Sequence, residues 1–331
     1  MAAVRAIRPA AQHAPAAPSR TEAQLSGPVA VADRPADSAD SAVAVVRGPS
    51  PLSGRTALIA TSLTLLSAIL LGLTAHIALL GPVRHARDQQ VAYAELRRQL
   101  AEAVAPVGQT DADGRFLALG SPVALLEIRT LGIRETVLEG TTSAILISGA
   151  GHRRDTVLPG QAGTSVLFGR RAGYGGPFGR LDRLDAEDVI FVTTGQGVHE
   201  YRVTGVRRAG DALPPPLTPG GGRLTLVTAS GAPYLPSGAL RVDAQLVSEP
   251  QPSPPRALIT LPESERALAG DSSSLAALAF SLLLLLLCAV AAAWSRAHWG
   301  RWQTYVVAIP VIGVLATAAF SRLAQLLPNL L

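Results

Sequence analysis

The chain contains no lysine: all 29 of its basic residues are arginines. With abundant Ala, Gly and Pro, this reads as a GC-rich coding bias more than a functional demand. Against 24 acidic residues the arginines leave a net charge of +5. That charge is spread over tails, loops and domain, which excludes the concentrated basic stripe of a nucleic-acid binder. A single cysteine, Cys288, excludes an intramolecular disulfide and any cysteine-based metal site. It sits in an apolar run and reads as a small lipid- or helix-facing residue. No pattern of residues calls for a cofactor or a metal. Phe, Trp and Tyr are missing from residues 1–55, a stretch rich in Ala, Pro, Ser and Asp without a sustained period. Such composition predicts a disordered tail, either simply solvated or in touch with a membrane surface.

Three long apolar runs are present: residues 56–80, 274–294 and 305–327. Each is close to the ~20 residues a helix needs to cross the hydrocarbon. The first begins too late and runs too long for a cleaved signal peptide. The short loop 295–304 carries Arg296 and Arg301, no acid, and Trp299 and Trp302 of the interfacial type. By the positive-inside rule it stays in the cytoplasm. The expected arrangement is a multi-pass protein of the cell membrane with a cytoplasmic N-terminus and an extracytoplasmic domain between the first two spans.

That domain starts helically. In "RHARDQQVAYAELRRQLAEAV" Val91, Leu96 and Leu100 recur at near-helical spacing and Pro106 closes the pattern. Residues 81–112 read as a juxtamembrane stalk helix or as a helix packed on the domain. Over residues 113–250 short β-rich runs alternate with Gly and Pro: "ALLEI", "TVLEG", "TSVLFG", "VIFVTT", "HEYRVTGV", "RLTLVTA" and "ALRVDAQLV". This spacing predicts a mainly β barrel or sandwich, interrupted by one or two helical turns in "PFGRLDRLDAED". Residues 251–273 are Pro- and Ser-rich and read as a linker back to the membrane.

The run "LEGTTSAILISGAGHRRDTVLPGQAGTSVLFGRRAGYGGPFGRLDRLDAEDVIFVTTGQGVHEYRVTGV", with the later "TLVTA" and "LRVDAQLV", resembles the sortases. These are membrane-anchored cysteine transpeptidases of Gram-positive cell envelopes, and the likeness is to the actinobacterial class E and D types. The resemblance covers about residues 125–247 and implies an eight-stranded β-barrel with short helices, beside the three transmembrane helices. It implies a thiolate that attacks the sorting-signal carbonyl, an imidazole in proton transfer, and a guanidinium at the oxyanion or substrate. The family's Thr-Leu-x-Thr-Cys here ends Thr225, Leu226, Val227, Thr228, Ala229. Its Gly-His-Arg here reads Gly169, Arg170, Arg171, and only its arginine is matched, by Arg241.

Alanine has no lone pair, and a protonated guanidinium neither takes nor gives a proton near neutral pH. The expectation is therefore an inactive sortase homologue that binds or scaffolds an envelope protein or peptide, an active sortase or its substrate among them, beside membrane lipid. Arg170, Arg241, Thr228 and His152 are the candidate groove residues. Arg170 and Arg241 form either a cationic pocket for an anion or a simple filling in which Arg170 pairs with an acid such as Asp243. Two alternatives stay open: a residual peptidase or transpeptidase with Ser230 as nucleophile, and a regulatory subunit acting through its spans. Ser230 is expected to face away from the groove unless a bulge turns it. His199 is expected on the solvent side of its strand.

Overall fold

Alternation of inward apolar and outward polar residues makes the domain β. In Gly197–Arg207 the inward set is His199, Tyr201 and Val203, all buried, while Val198 and Arg202 are exposed. Eight such strands form a closed barrel: β1 (Pro122–Ile128), β2 (Ile133–Glu139), β3 (Gly151–His152), β4 (Gly163–Phe168), β5 (Val189–Thr194), β6 (Gly197–Arg207), β7 (Gly222–Ala232) and β8 (Leu235–Leu246). Their order around the barrel is β1-β2-β3-β4-β7-β8-β6-β5. The β2/β3 and β4/β7 pairs are parallel and the others antiparallel. Closure leaves no free sheet edge, and Leu126, Ile128, Val192, Leu224, Leu226, Leu240 and Val242 fill the interior with no exposed surface beyond 1%.

This computed structural model describes residues 59, 63, 67 and 69–331, except 112, 256, 257, 259, 272, 273, 299 and 300. The expected tail 1–55, most of the first half of the first apolar run and Trp299 lie outside the described residues.

The first helix, α1 (Ile69–Ala101), contains a π-helical turn at His76–Leu80. Its second half is tied to the barrel. Gln89 donates to the Thr136 and Ser148 carbonyls at 3.1 and 2.9 Å and accepts from the Thr136 amide at 2.7 Å. A short helix, α2 (Ser143–Leu146), follows β2, and a single 3-10 turn, Leu181–Arg183, stands in "PFGRLDRLDAED". The chain finishes with α3 (Leu275–His298) and α4 (Arg301–Leu326), the latter with Pro310 inside it. Among the described residues three helical stretches, Ile69–Ala101, Leu275–Ala292 and Trp302–Leu326, are long and apolar enough to cross a membrane.

His199 is not on the solvent side. It is 2% exposed, its Nε2 lies 3.0 Å from the Thr194 hydroxyl, and its ring covers Gly160, where a Cβ would come within 2.3 Å of it. The physical reason is register: His199 is two residues before Tyr201 and shares its inward face. Gly160 has φ +93°, so this close approach also needs a residue without a Cβ.

Candidate functional site

Strand β7 divides its side chains between two environments. Leu224 and Leu226 belong to the barrel interior, whereas Val227 and Ala229 belong to a second apolar cluster with Leu146, Phe168, Ala239 and Leu330. Cross-strand register extends this outer face. Phe168 pairs with Val227, Ala239 with Ala229, and Arg241 with Val227. The groove thus lies over β4, β7 and β8, with Ala229 towards one end and Arg241 further along.

The end at Ala229 is filled by the chain itself. Leu330 is fully buried against the Ala229 cluster, and its carbonyl accepts from the Arg171 amide at 2.9 Å. The Asn329 side chain donates to the Thr141 and Arg266 carbonyls at 2.8 and 2.9 Å, and its amide donates to Ala269 at 2.9 Å. Burying one leucine contributes roughly 1.5–3 kcal/mol before ordering costs. Ala229 is 1% exposed beneath this cover.

Arg170 holds the same segment. It is 2% exposed and donates to the Ser143 hydroxyl at 2.7 Å, the Ser143 carbonyl at 3.3 Å and the Leu331 carbonyl at 3.1 Å. Its guanidinium lies 5.4 Å from the Tyr174 ring centre. Burial brings its pKa down to about 10, which still leaves it charged near neutral pH. Pairing of Arg170 with Asp243 is not what occurs. Asp243 is bound by Arg207 on the neighbouring strand and by the Thr225 hydroxyl at 2.7 Å. Local sequence offered no sign of the real partners, because Arg170 and Leu331 are 161 positions apart.

The other candidates separate. Thr228 is fully buried with a hydroxyl that has no partner, and it alternates with Val227 and Ala229 along β7. Ser230, two residues on, is 6% exposed beside a bulge in the β7–β8 pairing; its hydroxyl lies 3.3 Å from that of Ser237. His152 is 1% exposed, with Nδ1 2.8 Å from Glu139 and Nε2 2.9 Å from the Val157 carbonyl. Burial opposes its charge most strongly of any single cause, but the Glu139 carboxylate, the Val157 carbonyl and Asp155 together outweigh it and raise the pKa. Both ring nitrogens face acceptors, as an imidazolium requires. His85 contacts Glu135 at 3.0 Å. No histidine among the described residues is hydrogen-bonded to Ser230.

Beyond Ala229 the groove opens into a cavity of about 380 Å³ lined by Arg153, Arg207, Arg241 and Arg266, with Thr164, Val166, Phe168, Thr225, Val227 and Ala267. Arg170 is not part of its lining. Sequence reasoning singled out only Arg241 of these four. Arg153 beside His152 and Arg207 opposite Arg241 in the register become visible only when the strands are paired. The described residues hold no cluster of His, Cys, Asp and Glu suited to a metal ion.

A closed eight-stranded barrel with a groove over its parallel β4/β7 pair and the β7–β8 hairpin defines the class, a sortase-type barrel. Residues 126–243 match the family model described as Sortase domain. The sortase D5 transpeptidase of Clostridium perfringens is similar at 19% identity and TM-score 0.40, over 49% of this chain and 99% of that one. Sortase A of Corynebacterium diphtheriae, as a lid mutant, is similar at 22% identity and TM-score 0.37, over 48% and 95%. Sortase E1 of Streptomyces coelicolor, with a tripeptide in its active site, is similar at 22% identity and TM-score 0.35, over 39% and 90%. Comparison with curated proteins gives no match.

Proposed function

We propose that this sortase domain is catalytically inactive and serves as a peptide- or protein-binding scaffold at the cell envelope. The observation that carries this reading is the end of β7, where the groove presents the methyl group of Ala229 under the side chain of Leu330. By the family resemblance Ala229 stands where a cysteine attacks and Arg170 where a histidine moves a proton. A methyl group forms no bond to a carbonyl carbon. A guanidinium with a pKa of about 10 retains its proton near neutral pH. A barrel groove of this kind still offers strand-lined walls to an extended peptide. The partner is an envelope peptide or protein, an active sortase or its substrate among them.

The Ser230 alternative loses support from the surroundings of that residue. Its hydroxyl is hydrogen-bonded to another hydroxyl, and a serine without a base is a weak nucleophile. The membrane arrangement is part of the proposal: three spans, with the barrel extracytoplasmic. It is supported by three attachments to one domain: α1 leads into the barrel, α3 leaves it, and the segment after α4 returns to its groove.

The test is incubation of the full chain, in detergent, with fluorogenic sorting-signal peptides. Peptide release should equal that of buffer alone for both the wild type and Ser230→Ala. Wild-type turnover that disappears in Ser230→Ala would overturn the inactive reading and establish the serine enzyme.

A further inference from the structure

The open part of the groove carries more positive charge than the fold needs. Of the four arginines around the 380 Å³ cavity, Arg207 pairs with Asp243 and Arg153 with Asp155 at 2.7 Å. Arg241 and Arg266 have no carboxylate partner among the described residues. Four guanidiniums against two carboxylates leave an excess of two positive charges. Arg207 and Arg241 are also direct partners across the β6–β8 pairing. Like charges set opposite each other in a sheet are destabilising, so barrel stability offers no account of this pair. The arginines come from four separate places: the residue after β3, β6, β8 and the turn following Glu263–Glu265.

We propose that this cavity is a binding site for a phosphoryl group, a phosphate monoester dianion being the best match. The charge balances the excess of two. A carboxylate offers two oxygens, enough for one guanidinium fork, whereas a phosphate offers three acceptor oxygens to several forks at once. Thr164 lies in the same lining, and Val166, Phe168 and Val227 provide an apolar wall for the organic part of the ester. Arg170 takes no part, since it is committed to Ser143 and Leu331 on the covered side of the groove. The source of the group is either a soluble polyol phosphate or the headgroup of an anionic lipid, and both present the same oxygens. This inference rests on the reading of the groove as a binding surface, and it deepens that reading by naming a ligand class.

The experiment is calorimetric titration of the full chain, in a maltoside detergent, with glycerol 3-phosphate and with inorganic phosphate. Wild-type binding should saturate and weaken with added salt. Arg241→Gln and Arg266→Gln should each reduce affinity by about tenfold or more, as expected for loss of a hydrogen bond to a charged group. Arg266 is exposed and lies outside the strands, so its variant remains informative even if Arg241→Gln disturbs the barrel. Displacement of glycerol 3-phosphate by phosphatidic acid in mixed micelles assigns the lipid source, and no displacement assigns the soluble one; either supports the site. Absence of saturable binding, unchanged affinity in Arg266→Gln, or stronger binding of a triglutamate peptide overturns it. Peptide turnover is not read here, so failure of the phosphoryl site leaves the inactive reading untouched.

Discussion

The two ends of the groove differ in what they do with an arginine. At the Ala229 end Arg170 is buried, stripped of water and spent on the chain's own carbonyls, under a leucine that fills the space beside a methyl group. At the other end Arg241 and Arg266 border an open cavity and have no carboxylate partner among the described residues. Burying a guanidinium demands hydrogen bonds in place of its lost hydration, and the covered end supplies them to Nη1 from Leu331 and to Nη2 from Ser143, leaving Nε without a partner. The open end leaves solvent or a ligand to supply them. The groove is thus filled at Ala229, the position the resemblance assigns to the chemistry, and open where Arg241 and Arg266 stand.

The sharpest way to break this contrast is to disturb the segment that serves both ends. Glu265 is 1% exposed and paired with Arg154 at 2.6 Å; its carbonyl accepts from the Thr141 hydroxyl at 2.6 Å. The next residue, Arg266, lines the open cavity while its carbonyl receives Asn329. Arg154→Met would leave the Glu265 carboxylate buried and unpaired, at a cost of about 3–5 kcal/mol. The thermal midpoint of the detergent-solubilised chain should fall by several degrees, and both ends should loosen together. A midpoint equal to wild type would show that the two ends do not share this support.

A smaller and one-sided effect is expected from Leu330→Ala. Removing a buried leucine side chain costs about 2–5 kcal/mol where neighbours cannot collapse, but here the loss falls on the docking of one segment more than on the barrel. Hydrogen exchange at the Arg171 amide, which donates to Leu330, is the direct reading. Faster exchange there, with protection retained in β7 and β8, is the expected result. Unchanged exchange would mean that Leu330 does not hold the cover in place.

How far the sequence revealed these two ends follows from the range of the interactions involved. The strands were readable because alternation is a local property: "RLTLVTA" and "ALRVDAQLV" fall within β7 and β8. Ala229, Arg170 and Arg241 were found through a resemblance, which fixes positions along the chain but not partners in space. The cover by Leu330 was invisible because Asn329, Leu330 and Leu331 end an apolar run with nothing local to mark them as groove ligands. The arginine cavity was only partly visible, since Arg153 and Arg266 meet Arg241 through loops that no period predicts. His199 departs from expectation for a simpler reason: its polarity points to solvent, whereas its parity with Tyr201 places it inside.

The smallest expected effect is a pH dependence, and it belongs to the wall between barrel and groove. His152 follows β2 in the sheet, 2.8 Å from Glu139, and its neighbour Arg153 reaches the open cavity. Burial lowers the pKa of His152, but the Glu139 carboxylate with the Val157 carbonyl and Asp155 raises it above its ordinary 6.5. A base whose folded pKa is raised stabilises the fold fully below its unfolded pKa, and that contribution is lost as pH rises through the folded value. The thermal midpoint should therefore decline as pH is raised from below 6.5 through that value, and the decline should be absent in His152→Gln. A wild-type midpoint that instead rises over that window would show that His152 is buried neutral, and that Glu139 does not outweigh its desolvation.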